Sequence, residues 1–155
     1  MAMKSLAHLR GITEADVRRL RARGIQHSNQ LLHACTLGID RATISRRTGI
    51  STDRLLEVAH QCALLEVSSL DRWLAVVRRM GVTDLKVLRI QDPAELHHRI
   101  VEAVGLGGAP TLSMVQYWVS QARSIDMIEV EERSSVLDVS PSLRPDPGNP
   151  NIVRV

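Results

Sequence analysis

Four times in its first 83 residues the chain sets a glycine and a β-branched residue between two stretches of helical periodicity. The corners are Arg10-Gly11-Ile12-Thr13, Arg23-Gly24-Ile25-Gln26, Thr48-Gly49-Ile50-Ser51 and Met80-Gly81-Val82-Thr83. Glycine enters the left-handed region that ends a helix without steric cost. The Ile or Val that follows can bury its side chain between the two helices and fix their crossing. Thr13, Ser51 and Thr83 are then placed to cap the next helix, and Thr13 with Asp16 has the spacing of a capping box, Asp standing in for the usual Glu. A chain punctuated in this way is bound to fold as short helices turned back on one another.

The segments between the corners agree. Over 51–66, Leu55, Val58, Ala59, Cys62 and Leu65 recur on one helical face, with Arg54, Glu57 and Gln61 on the other. Residues 69–80 set Leu70, Trp73, Leu74 and Val77 against Asp71, Arg72, Arg78 and Arg79. Asp92-Pro93 with Glu95 reads as a helix start for 93–104, and Leu112, Val115, Val119 and Ala122 stripe 111–124, flanked by Met114 and Trp118. No alternating strand pattern precedes Ile125. The expected architecture is all-α: a compact bundle of seven or eight short helices over residues 1–124. Residues 125–155 carry Pro141, Pro145, Pro147 and Pro150 and an acidic excess, and are expected to form an extended tail that docks on its own domain, on a second copy or on a partner.

Charge and composition narrow the function. Residues 1–60 hold ten Lys/Arg against five Asp/Glu, whereas residues 125–155 hold three against six. A basic front and an acidic end suit nucleic-acid binding and also suit a solvated helical surface, the expected role of Arg18, Arg19, Arg21 and Arg23 and of Arg72, Arg78 and Arg79. Only Lys4 and Lys86 are lysines, so the positive charge is forked guanidinium, the form that grips phosphate or carboxylate. With no Phe, one Tyr and two Trp, the chain lacks the rings on which single-stranded bases stack. It also lacks a run of about 20 apolar residues and an apolar leader at its start, so a cytoplasmic protein without membrane contact is expected. Cys35 and Cys62 lie in apolar stripes, as inert core thiols do. His60-Gln61-Cys62 and His97-His98 are too close in sequence to chelate together on a helix, and no recurring four-ligand spacing appears. No metal, cofactor, small-molecule substrate or catalytic residue is therefore expected. Trp73 and Trp118 read as core, while Tyr117, beside Gln121, is the aromatic best placed for a protein interface.

The run Gly11-Ile12-Thr13-x-x-Asp16-x-x-x-Leu20, then Gly24-Ile25 leading to Leu31-Leu32, then Arg46-Arg47-Thr48-Gly49-Ile50-Ser51 leading to Leu55-Leu56, resembles tandem helix-hairpin-helix (SAM-like) modules. More closely, it is similar to a bacterial family of such double modules known as a domain of unknown function. The likeness runs from about Leu9 to Arg123. It implies sequence-independent binding of duplex DNA, in which backbone amides of a hairpin and of the following helix hold a phosphate, and it implies a dimerisation surface. Carried onto this chain, the phosphate contacts would fall on Arg10, Gly11, Ile12 and Thr13 and on Arg46, Arg47, Gly49, Ile50, Ser51 and Arg54. The usual hairpin is Gly-hydrophobic-Gly, whereas here the second glycine is Thr13, Ser51 or Thr83. The two-glycine form occurs instead at Gly105, Gly107 and Gly108, a further candidate phosphate loop. Two functions are thus expected as alternatives: a non-enzymatic DNA-binding module, or a protein–protein assembly module whose tail docks on a partner.

Overall fold

At Gly49 the chain turns with φ +79, and the amide of this residue donates to the Ser45 carbonyl at 2.8 Å, closing the preceding helix. Gly24 and Gly81 do the same through the paired bonds of a Schellman motif: Ile25 donates to Leu20 and Gly24 to Arg21, while Val82 donates to Val77 and Gly81 to Arg78. The aliphatic residue at each of these three corners is buried, as Ile25, Ile50 and Val82. The computed structural model describes residues 3–124 and 129–132. Its helices are α1 (Glu14–Ala22), α2 (Ser28–Cys35), α3 (Gly38–Thr48), α4 (Thr52–Leu65), α5 (Leu74–Arg79), α6 (Leu85–Arg89), α7 (Pro93–Val104) and α8 (Leu112–Ala122), with 3-10 turns at Leu6–His8, Leu70–Trp73 and Leu106–Gly108. The fold is an all-α bundle, and the only β pairing among the described residues is an isolated bridge between Ser5 and His27.

Helix α4 is the hub, packed on α2, α3, α5 and α6, while α7 and α8 close the other end. Its central position explains one departure from the sequence pattern. Gln61, expected on the outer face, is fully buried, because the chain entering the Gly11 corner lies across that side of α4. Its side chain answers both backbone groups of Arg10, accepting from the amide and donating to the carbonyl, each at 2.8 Å. A buried amide satisfied at both ends is tolerated where an unmatched one would not be.

Two other expectations shift. The helix expected over 69–80 breaks into the Leu70–Trp73 turn and α5, since Ser69 sits at φ +67 and forces a tight entry. After Gly81 the cap is Asp84 rather than Thr83: its carboxylate accepts from the Val87 amide at 2.9 Å, and α6 starts one residue later than the corner pattern implies. Thr13 and Ser51 cap α1 and α4 as expected.

Trp73 and Trp118 are buried with ring centroids 5.7 Å apart, and their indole N–H groups reach the Gly108 carbonyl and the Ser69 hydroxyl. Cys35 and Cys62 are buried and free; burial pushes the Cys35 thiol up to about 12 and raises that of Cys62 as well. Of the tail, only residues 129–132 are described, and they lie against the chain's own body. Val130 is buried, the Glu131 amide donates to the Thr36 carbonyl at 2.8 Å, and the Glu131 carboxylate accepts from the Gly38 amide at 3.1 Å. That carboxylate completes the start of α3, whose cap residue Leu37 has no side-chain oxygen to offer. The remaining tail positions, Pro141 to Pro150 among them, lie outside the described residues.

Candidate nucleic-acid interface

The Gly11 and Gly49 corners begin α1 and α4, and the two helix starts are neighbours. Arg54, in the first turn of α4, lies 3.5 Å from Asp16 in the first turn of α1. Glu57, one turn further on, faces Gly11. At the opposite end of α1, the Arg23 guanidinium donates to the Arg47 carbonyl at 3.4 Å. Glu57 pairs with Arg78 of α5 at 2.9 Å, and Arg78 lines, with Arg10 and Arg79, an open hollow of about 420 Å³. These contacts place Arg54, Arg78, Arg79 and Arg10 along a path by the Gly11 corner, with Asp16 and Glu57 interleaved, and set Arg23 against the Arg47 backbone at the other end of α1. Arg78 and Arg79, read from sequence as solvated surface, join this path through the Gly11 corner.

The two corners differ in what their amides can do. At the first, the Asp16 carboxylate already occupies the helix start: it accepts from the Thr13 amide at 3.0 Å while the Thr13 hydroxyl accepts from the Asp16 amide at 3.1 Å. Arg19 joins it at 3.0 Å. The bond from the Thr13 amide holds the Asp16 carboxyl below its ordinary value, aided by the Thr13 hydroxyl, Arg54 and Arg19 and opposed by burial. A carboxylate with two guanidiniums at a helix start has the coordination a phosphate would seek, so an internal anion fills the Gly11 corner. Arg10 stays exposed, its guanidinium meeting the Ala7 and Leu9 carbonyls at 3.3 Å.

The Asp16 arrangement has a signed pH dependence. A carboxyl held low in the folded state contributes stability above its unfolded value and loses that contribution as pH falls through the folded value. Asp16→Asn is therefore expected to cost about 1 kcal/mol at neutral pH. The gap from the unaltered protein should close in strong acid, where both side chains are neutral. Urea unfolding at neutral and strongly acid pH measures both.

At the second corner the helix start is open. The Ser51 hydroxyl accepts from the Arg54 amide at 3.2 Å, which leaves the amides of Thr52 and Asp53 without an acceptor among the described residues. Arg46, Arg47, Gly49, Ser51 and Arg54 are exposed around it. The Arg46 guanidinium has one weak bond, to the Thr43 hydroxyl at 3.3 Å. The exposed Asp53 carboxylate opposes an anion here and is outnumbered by the three guanidiniums. Ile50 is 1% exposed and serves as a core residue, and Ile12 is half-buried, so any contact at these two positions would fall on the backbone.

The remaining sequence candidates fall elsewhere. The loop at Gly105, Gly107 and Gly108 folds into its own 3-10 turn, with the Gly108 amide on the Gly105 carbonyl and the Ala109 amide on the Leu106 carbonyl. Those two amides, and that of Gly105 on the Val101 carbonyl, are engaged internally. Tyr117 is 57% exposed, whereas Gln121 accepts from the Ser68 amide at 3.0 Å and ties α8 to the α4 exit, a structural role. One grouping escaped the sequence altogether. His60, Asp84 and Glu132, from α4, the α6 cap and the tail, bring their donor atoms within 4.8 Å of one another. Separations of 24 and 48 residues leave no local pattern to find.

No described helix is long and apolar enough to cross a membrane. No curated protein and no solved structure matches the chain. A family model matches residues 10–125, which take in every corner, the arginine path and all eight helices, and the chain thus belongs to the family described as a domain of unknown function (DUF4332).

Proposed function

We propose that this chain is a non-enzymatic module that binds duplex DNA independently of sequence, holding one backbone phosphate at the Gly49 corner. The observation that carries this reading is the open start of α4. Two amides there lack an internal acceptor, and Arg46, Arg47 and Arg54, all exposed, flank them in the chain. Backbone amides at a helix start favour an anion, and arginine adds charge-assisted, forked bonds to phosphate oxygens. Arg23, Arg78 and Arg79 extend the path so that neighbouring phosphates can be met as well. Because such contacts position a protein on the backbone without reading base edges, the binding is indifferent to sequence. The Gly11 corner, filled by Asp16, supports the fold in this reading and does not grip DNA.

Fluorescence anisotropy with a labelled duplex at two salt concentrations tests the proposal. Saturable binding at low salt is expected, equal for duplexes of unrelated sequence. Affinity should weaken steeply as salt rises, because each neutralised phosphate releases counterions. Absence of binding at low salt, or an affinity indifferent to salt, overturns it. The assembly alternative draws support from Leu106, Leu112 and Tyr117, exposed on and just before α8. Of the tail, residues 129–132 lie against the chain's own body.

A further inference from the structure

We infer that His60, Asp84 and Glu132 form a binding site for one divalent transition-metal ion of the zinc type. The three donors come from three separate parts of the fold and converge, each offering one atom, with no pair of donor atoms more than 4.8 Å apart. His60 is largely buried on α4, and its Nε2 lies 3.3 Å from a Glu132 oxygen. Asp84 needs only Oδ1 to cap α6, through the Val87 amide. Its other oxygen is left for a ligand. Two carboxylates thus converge on one imidazole, and among the described residues no Lys or Arg comes within 4.0 Å of either. The nearby cations are engaged elsewhere: Lys86 and Arg89 with Glu129, Arg78 with Glu57, and Arg41, which acts on Glu132 only electrostatically, with the Cys35 and Thr36 carbonyls.

Like charges held this close are unfavourable unless something cationic sits between them. A protonated imidazole would balance one of the two carboxylates. A dication balances both and can coordinate all three groups. Around a tetrahedral zinc with bonds of about 2.1 Å, ligand atoms lie roughly 3.4 Å apart. The Glu132 side chain, 55% exposed, has the freedom to close that gap by rotation. The imidazole selects against the class of ion: calcium and magnesium prefer all-oxygen sets, whereas one nitrogen and two carboxylate oxygens suit zinc and its transition-metal neighbours. A hollow of about 300 Å³ lined in part by Leu56, His60, Thr83 and Glu132 leaves room for a water in the remaining position. Because Glu132 belongs to the docked tail segment, the ion would also fasten residues 129–132 to α4 and α6.

Isothermal titration of the full chain, stripped with chelator and then titrated with Zn²⁺, tests this. The expected result is one saturable zinc site, no comparable site for Mg²⁺, and an affinity lower by about tenfold or more in each of Asp84→Asn and Glu132→Gln. Both variants keep the shape of the side chain, and Asn retains the ability to cap α6, so folding is preserved; circular dichroism of each variant checks this. His60→Gln should remove the site. No zinc binding overturns the inference. Zinc binding that is unchanged in Asp84→Asn and Glu132→Gln overturns it equally, since the ion would then sit elsewhere, for instance at the exposed His98–Glu102 pair. Either outcome leaves the DNA reading untouched.

Discussion

Replacing Arg46, Arg47 and Arg54 together by Ala is expected to lower duplex-DNA affinity about a hundredfold at low salt and to flatten its salt dependence by as many as three released counterions. The three arginines are exposed on either side of the open start of α4 in the chain, and the loss should be uniform across duplex sequences because backbone contacts carry no base readout. The size of the effect depends on where the charge is lost, not only on how much. Arg18→Ala/Arg21→Ala removes two charges from a different side of α1, where both residues line a hollow with Glu14 and Val17. That double variant should weaken binding only a few-fold. Equal losses for the two sets would mean that net charge alone attracts DNA and that the Gly49 corner is not the contact. Arg54 also pairs with Asp16, so the double variant Arg46→Ala/Arg47→Ala, which leaves that pair intact, separates lost phosphate contact from any loosening of the α1–α4 junction.

The second large effect is on stability. Arg41→Met is expected to cost about 3 kcal/mol and to lower the midpoint of thermal unfolding by roughly 6–12 °C. Arg41 is fully buried, and its guanidinium donates to the Cys35 and Thr36 carbonyls at 2.9 and 3.1 Å, satisfying the end of α2. Burial pulls its pKa down, and the Cys35 thiol and the tail carboxylates of Glu131 and Glu132 oppose that shift. Methionine fills similar volume and removes the donors, leaving buried carbonyls short of partners. The Thr36 carbonyl also receives the Glu131 amide, so loosening it weakens the tail anchor at the same point. Circular dichroism melts of the variant give the midpoint, and an unchanged one would show that these two bonds carry no net stability.

What could be read from the sequence was what is set locally. Gly24, Gly49 and Gly81 announce their corners because a left-handed residue is needed there, whatever surrounds it. Thr13 with Asp16 and Ser51 with Arg54 announce caps because the partners lie within one turn. The Trp73–Trp118 core follows from two helical stripes. Features set by long-range approach were invisible. Gln61 lies on the polar face by periodicity and is buried because the Gly11 corner crosses it. Arg41 shows no apolar periodicity of its own and is enclosed only when α2, α3 and the tail close around it. At the candidate site, the glycine and arginine positions and the Thr13–Asp16 box were legible, whereas the pairing that brings Arg54 onto that box was not. Asp16, an ordinary capping residue locally, meets Arg54 only through the tertiary packing of α1 on α4.

The most direct test follows backbone amide resonances while a short duplex is added to the ¹⁵N-labelled chain. The DNA-binding account predicts that the amides of Gly49, Ser51, Thr52 and Asp53 shift together and saturate with the duplex, and that Thr13, held by Asp16, stays still. A chain whose α4 start does not respond while other surfaces do, or one that gives no shifts at all under low salt, contradicts it.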